Sequence, residues 1–258
     1  MKLYNDAGIE AIDLPASVKA TVPWGGVSSK YAFASSLEVA ETIRKELNYI
    51  PVYAQEAKTR IEGKGSYTKH MLRFRAVNSL PVLNGLHFEI VLINSHDRAS
   101  SLSLSFGIYR MVCSNGLCLG GDIFSTGAMH HTGNGLKGLG EKLNRLLTQQ
   151  GRVADTVNTM QHRMLNLDDK LTFARQAIAL QYPKLTGDEN RLMANRTLQT
   201  RRYQDTGQDV FSVYNVVQEN LLAGGMRGIS GRRIRQVNSI DAAVKVNEGL
   251  WELAASYV

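Results

Sequence analysis

Apolar positions recur along this chain at two different spacings, and the change of spacing divides it. Between residues 35 and 48, Leu37, Ala40, Ile43 and Leu47 fall at helical intervals. Ser35 or Ser36 can cap the first turn, with Glu38 near the capping-box position. From 52 to 110 the period becomes two, and the pattern predicts strands over 52–62, 67–77, 86–94 and 101–110. Their links are Gly63-Lys64-Gly65-Ser66, a stretch over 78–85 containing Pro81, and Ser95-His96-Asp97-Arg98. Such short polar links predict an antiparallel meander. Residues 1–27 read as an irregular lead-in ending in the turn Pro23-Trp24-Gly25-Gly26. After a glycine-rich passage over 116–140, Leu136, Leu139, Leu143, Leu146 and Leu147 restart the helical spacing. It then dominates to the C-terminus, with breaks at Pro183, Gly187, Gly207, Gly224-Gly225 and the glycines 228 and 231. The expected class is α+β: an N-terminal helix and a four-stranded antiparallel meander over 1–135, then a largely helical half over 136–258.

Composition narrows the class. With 258 residues, 43% hydrophobic and 21% charged, the chain can bury a real core. No run approaches the ~18 apolar residues of a membrane-spanning helix. The stretch Met1-Lys2-Leu3-Tyr4-Asn5-Asp6 has no charged-then-apolar signal pattern, which predicts a protein of the host-cell cytoplasm. Cys113 and Cys118 are expected to be reduced and unligated.

Charge gives the first functional pointer. Thirty Lys and Arg stand against 23 Asp and Glu, a net +7, which favours polyanionic partners. Along the second predicted strand, Lys69, Arg73 and Arg75 share one face while His70, Leu72, Phe74 and Ala76 share the other, because strand side chains alternate. The apolar face is expected in a core and the basic face toward solvent or phosphate. On the preceding strand Lys58 and Arg60 share a face, and Lys64 lies in the turn between. Tyr67, Tyr109 and His96 could stack or hydrogen-bond along a bound strand. A second cluster, Arg227, Arg232, Arg233 and Arg235, has no acid among it. Its glycines 224, 225, 228 and 231 predict a mobile loop suited to backbone phosphates. The competing expectation is that these arginines tether the C-terminal helices. Arg201 and Arg202 form a third pair, with Asp205 and Asp209 nearby to neutralise them.

Signals for catalysis are few. None of the six histidines makes the i, i+4 pair with Glu of a zinc-protease helix, and the two cysteines are not spaced as a zinc knuckle. His96-Asp97 and His130-His131, with Asp122, are the clusters a metal could use. The run Gly133-x-Gly135-x-x-Gly138 matches a dinucleotide fingerprint but lacks a preceding strand. No catalytic residue, metal or cofactor is expected.

Several blocks together resemble a known family. They are Val27-Ser28-Ser29-Lys30-Tyr31, Ile93-Asn94-Ser95-His96-Asp97, Arg110-Met111-Val112-Cys113-Ser114-Asn115-Gly116-Leu117 and His130-His131-Thr132. Further along stand Arg201-Arg202-Tyr203-Gln204-Asp205-Thr206-Gly207, Asn215-Val216-Val217-Gln218-Glu219-Asn220, Gly224-Gly225 and Asn247-x-x-Leu250-Trp251. Their order resembles the phage- and plasmid-associated family catalogued as domain of unknown function number 932, over roughly residues 27–255. That resemblance implies a mobile-element setting and carries no catalytic residues. A looser, fold-level likeness is to phage single-strand-annealing recombinases, which implies a basic groove in an oligomeric ring.

The function expected from these readings is nucleic-acid binding, single-stranded DNA first, by an annealing or recombination accessory of a phage or plasmid that forms a homo-oligomer. The alternatives are a protein-binding anti-defence or regulatory factor docking a host partner, and a metal-dependent nuclease using His96, Asp97, His130 and His131.

Overall fold

The structure, a computed structural model, describes residues 12–25, 30–77, 86–110, 117–118 and 138–258, without the side chains of 109, 110, 117 and 118. It is α+β, with an N-terminal helix, an antiparallel meander and a mostly helical C-terminal half. Two compact units divide it: Met1–Val112 with Gly121–Gln150, and Cys113–Gly120 with Gly151–Val258.

In the first unit, helix α1 spans Ser36–Leu47. Ser35 caps it by accepting the Glu38 amide at 3.3 Å, and Asn48 ends it in the left-handed conformation, φ 56°. Its buried face is Ser36, Val39, Ala40 and Ile43, so the helix is turned slightly from the Leu37–Leu47 stripe. The meander is β1 Tyr49–Glu56, β2 His70–Ala76, β3 Leu86–Asn94 and β4 Ser103–Arg110. Tyr53 pairs with Arg73, Arg75 with Glu89, and Leu92 with Leu104. The register shifts between Pro51 and Tyr53, beside the proline that has no amide to give the ladder.

The first predicted strand ends early. After Glu56 the chain leaves the sheet, the Thr59 hydroxyl accepts the Ile61 amide, and Gly63 turns at φ +72° against the Trp24 ring. A 3-10 turn over Gly65–Tyr67 precedes β2. Lys58 and Arg60 therefore stand on an exposed connection and not on a strand face. Alternation alone could not show this, because a polar, alternating stretch with no Gly or Pro looks the same in either state.

One face of the sheet buries Leu72, Phe74, Ile90, Leu92, Leu104, Phe106 and Ile108, as the alternation predicts. The other face is also covered at its centre: Glu89 and Val91 are fully buried, and Arg73 nearly so. β3, Leu-His-Phe-Glu-Ile-Val-Leu-Ile-Asn, is the near-continuous apolar run of a strand buried on both sides. Helix α2, Leu139–Leu147, packs against β4 through the first unit's core and buries Leu139, Leu143 and Leu146.

Among its described residues the second unit holds a two-residue strand, β5 Leu117–Cys118, and five helices. These are α3 Gln150–His162, α4 Leu167–Gln181, α5 Gly187–Thr197, α6 Val210–Leu222 and α7 Ile240–Ala255. The breaks fall where Pro183, Gly187, Gly207 and Gly224 predict them. Asn166 with Asp169 makes a capping box on α4, and Asp209 and Ser239 cap α6 and α7. α6 is buried nearly all round, and Gly249 lets α7 close on α4, where a Cβ would stand 3.0 Å from Leu180. Among the described residues no helix is long and apolar enough to cross a membrane.

Candidate nucleic-acid interface

Alternation correctly puts Arg73 and Arg75 on one side of β2, but that side is not a solvated basic face. Glu89, on the neighbouring strand, pairs with both: Arg73 Nε lies 3.0 Å from its Oε2 and Arg75 Nε donates to its Oε1 at 3.0 Å. The Arg73 guanidinium also lies 4.4 Å over the Tyr53 ring. Burial raises the Glu89 carboxyl pKa, and the two arginines oppose that rise. Arg73, buried, and Arg75, half-buried, are thus tied up in a charge triad around buried Glu89. Removing a carboxylate from such a triad leaves two uncompensated cations, so its first role is structural.

The remaining expected contacts in this unit are rearranged too. Lys64 pairs with Asp97 at 3.0 Å. Burial raises the Asp97 carboxyl, but the Ala99 amide, Lys64 and Ser95 more than reverse this and hold it below its ordinary value. Tyr67 is half-buried with its ring 5.3 Å from Trp24, and Lys69 sits just ahead of β2, half-buried. The Tyr109 side chain lies outside what is described, as do residues 113, 122, 130, 131, 133 and 135 and the Cys118 side chain.

His96 is fully buried and cannot stack on a base. Its ring packs against Phe33 at 4.7 Å and His70 at 5.2 Å. Around it lies a polar cluster that no single motif announces. His70 Nδ1 donates to the Thr68 carbonyl at 3.0 Å, which leaves Nε2 to accept the Ser36 hydroxyl at 2.7 Å. Asn94 Nδ2 donates to Ser36 Oγ at 2.9 Å and to the Ala34 carbonyl at 3.0 Å. Burial pushes the His70 pKa down to about 4, with Thr68, Glu56 and Asp97 opposing it, so the ring is neutral at pH 7. Hydroxyl and imidazole have the spacing of a nucleophile and its base, yet Ser36, His70, Asn94 and His96 are all sealed from solvent. The cluster pins α1 to β2 and β3. Among the described residues no three His, Cys, Asp or Glu side chains gather as a metal would require.

The second arginine cluster behaves oppositely. Residues 224–236 form a built hairpin in place of the mobile loop the glycines predicted. Gly225 N donates to the Ile234 carbonyl at 2.8 Å, Ile234 N to Met226 at 2.9 Å and Gly228 N to Arg232 at 2.7 Å. Gly224 is required there: its φ is +68°, and a Cβ would meet the backbone of 234–236 at 2.6–2.7 Å. The hairpin is fastened by arginines outside it. Arg196 Nη1 donates to the Arg227 and Gly228 carbonyls, and Arg201 Nη2 to the Gly224 carbonyl at 2.6 Å. Arg227, Arg232, Arg233 and Arg235 are all exposed, and no ion pair to any of them occurs among the described residues. They do not tether the helices; Arg196 and Arg201 hold the hairpin in place. Arg227 and Arg233 stand directly opposite each other across its isolated bridge.

Arg202 has a carboxylate partner that the sequence did not point to: it grips Glu219 of α6 with bonds of 2.8–3.1 Å, while Asp209 caps α6. Residues 23–251 match the family described as "Domain of unknown function (DUF932)". The chain belongs to that family. It is also similar to UPF0380 protein YafZ of Escherichia coli (strain K12), 30% identical over 232 residues, 88% of this chain and 82% of that one. UPF0380 protein YfjQ of the same organism is 29% identical over the same shares. No solved structure matches.

In this DUF932 chain the Gln-Glu-Asn block is a three-way staple. Successive helix residues point about 100° apart, so each reaches a different neighbour. Gln218 donates to Asn247 of α7 at 2.7 Å, Glu219 holds Arg202, and Asn220 donates to the Thr197 and Gln199 carbonyls at and just beyond the end of α5, both at 2.9 Å. Asn247, Leu250 and Trp251 form one buried face of α7. These blocks build the scaffold that presents the hairpin. A cleft of about 390 Å³ between α4 and α5 is lined by Arg175 and Asn190, which bond to each other at 3.3 Å, and gathers no further chemistry.

Proposed function

We propose that this protein binds nucleic acid, single-stranded DNA in the first place, through the arginine hairpin of residues 224–236. One observation carries the reading: Arg227 and Arg233 face each other across the hairpin with no carboxylate between them. Like charges directly opposite on paired strands are destabilising. No Asp or Glu occurs from 220 to 240 to offset them. The fold bears that cost and adds Arg232 and Arg235 beside it, on a backbone held by Arg196 and Arg201. Exposed guanidiniums on a held backbone suit phosphate oxygens, and a polyanion would relieve the repulsion. Lys58 and Arg60 are the remaining exposed cations of the original set in the first unit. An annealing or recombination accessory role, with oligomer formation on DNA, follows as the wider form of the proposal.

The test is a salt titration of binding to labelled single- and double-stranded DNA, with and without magnesium. The Arg232→Ala/Arg233→Ala double variant should bind more weakly across all sequences, with a log–log salt slope on single strands flatter by about 1.4. If the wild-type protein shows no salt-dependent binding even at low ionic strength, the proposal fails and an acidic protein partner becomes the better reading of the hairpin.

A further inference from the structure

Tyr203 is the most exposed large side chain with apolar character among the described residues, at 88%. Its ring adds nothing to the core, yet the backbone beneath it is fastened by several bonds. The preceding Arg202 forks onto Glu219, and its carbonyl accepts the Asp205 amide at 3.1 Å. The Tyr203 carbonyl itself accepts the Thr206 hydroxyl at 3.0 Å, and Asp205 is buried. Two residues before it, Arg201 donates to Gly224, and its guanidinium lies about 3.5 Å from where a Cβ on Gly225 would stand. The turn bearing Tyr203 is therefore bonded to the base of the arginine hairpin. Chain geometry puts Tyr203 within about 7 Å of Arg201 at Cα, and Arg227 within about 10 Å of Gly224. An aromatic ring on a rigid mount and a row of cations then fall within the reach of a few nucleotides.

From this juxtaposition we infer that Tyr203 is a base-stacking platform that makes the hairpin selective for unpaired nucleic acid; the inference rests on the nucleic-acid reading of the hairpin. The cations take the backbone, which every nucleic acid offers. The ring takes the face of a base, which only a single strand or an unpaired end exposes. Stacking is indifferent to base identity, so the selectivity is for strandedness and not for sequence.

The experiment compares wild type with Tyr203→Ala and Tyr203→Trp in binding a thymidine oligonucleotide and a duplex of mixed sequence. Tyr203→Ala should lose about 5- to 150-fold in affinity for the single strand, the range that loss of one stacked base gives. Its duplex affinity, salt slope and melting temperature should be unchanged. Tyr203→Trp should bind the oligonucleotide at least as well as wild type and show fluorescence quenching beyond that of Trp24 and Trp251 in the wild-type protein. If Tyr203→Ala binds the oligonucleotide like wild type while Arg232→Ala/Arg233→Ala does not, the stacking role is wrong and the hairpin reading stands. Equal weakening toward both nucleic acids also overturns the stacking role. No binding by the wild-type protein removes both readings.

Discussion

Two arginine-bearing segments of this protein look alike in sequence and end in opposite states. On β2, Arg73 and Arg75 alternate with apolar residues; in the hairpin, Arg233 and Arg235 do the same around Ile234. The difference lies in what stands across the pairing. Arg75 faces Glu89, which also reaches Arg73, and the three side chains close into a triad whose carboxylate is fully buried. Arg233 faces Arg227, and all the hairpin arginines stay in water. Charge count along a strand therefore does not define a binding surface. The residue that decides it can lie 14 positions away, as Glu89 does from Arg75.

The largest test of this comparison removes the deciding residue. Glu89→Ala should cost roughly 3 kcal/mol, because buried Arg73 and half-buried Arg75 then lack their carboxylate. Urea unfolding should show a midpoint lowered with little change in slope. A loss below about 1 kcal/mol would mean that the triad is solvated and that the β2 arginines are closer in kind to those of the hairpin.

Acidification should separate the regions next. The first unit keeps His70 neutral with a pKa near 4, whereas the unfolded chain takes its proton near 6.5. Between those values the unfolded state binds more protons. This contribution to stability is therefore complete above pH 6.5 and is lost as pH falls toward 4, by roughly 3 kcal/mol at most. Unfolding free energy measured from pH 7 to pH 4.5 should fall, and the dependence should shrink in His70→Gln. An equal slope in the two proteins would place the acid sensitivity elsewhere.

The smallest stability effect belongs to the hairpin itself. Arg232→Ala/Arg233→Ala should change unfolding free energy by less than about 0.5 kcal/mol, since both side chains are exposed and make no ion pair among the described residues. A slight gain is also consistent, from relieved repulsion with Arg227. A loss above 1 kcal/mol would show the cluster to be part of the scaffold after all.

Much of the architecture was legible because it rests on local signals. Ser35 announces the start of α1, Gly187 and Gly207 mark breaks, and Leu102, Leu104, Phe106 and Ile108 alternate into the core. The candidate site was legible only as a set of cations. His96 looked like a turn residue because its neighbours are polar, but Phe33 and His70 enclose it from elsewhere in the chain. The hairpin looked mobile because of its glycines, but Gly224 serves a close backbone approach that holds it in shape. One signal was there to be read: Glu89 is the lone acid in a mostly apolar strand, a position that calls for a cationic partner.

Sequence alone determined the periods, the caps and breaks, the α+β order, and the surplus of cations available for a polyanion. Those properties depend on spacing within a segment, where the covalent chain fixes the geometry. Only the tertiary structure decided which cations remain available. Pairing across strands brought Glu89 to Arg73 and Arg75, and the bond from Arg201 to the Gly224 carbonyl fastened the hairpin. Electrostatic neutralisation and burial depend on distance in space, and neither is encoded in the order of residues along one segment.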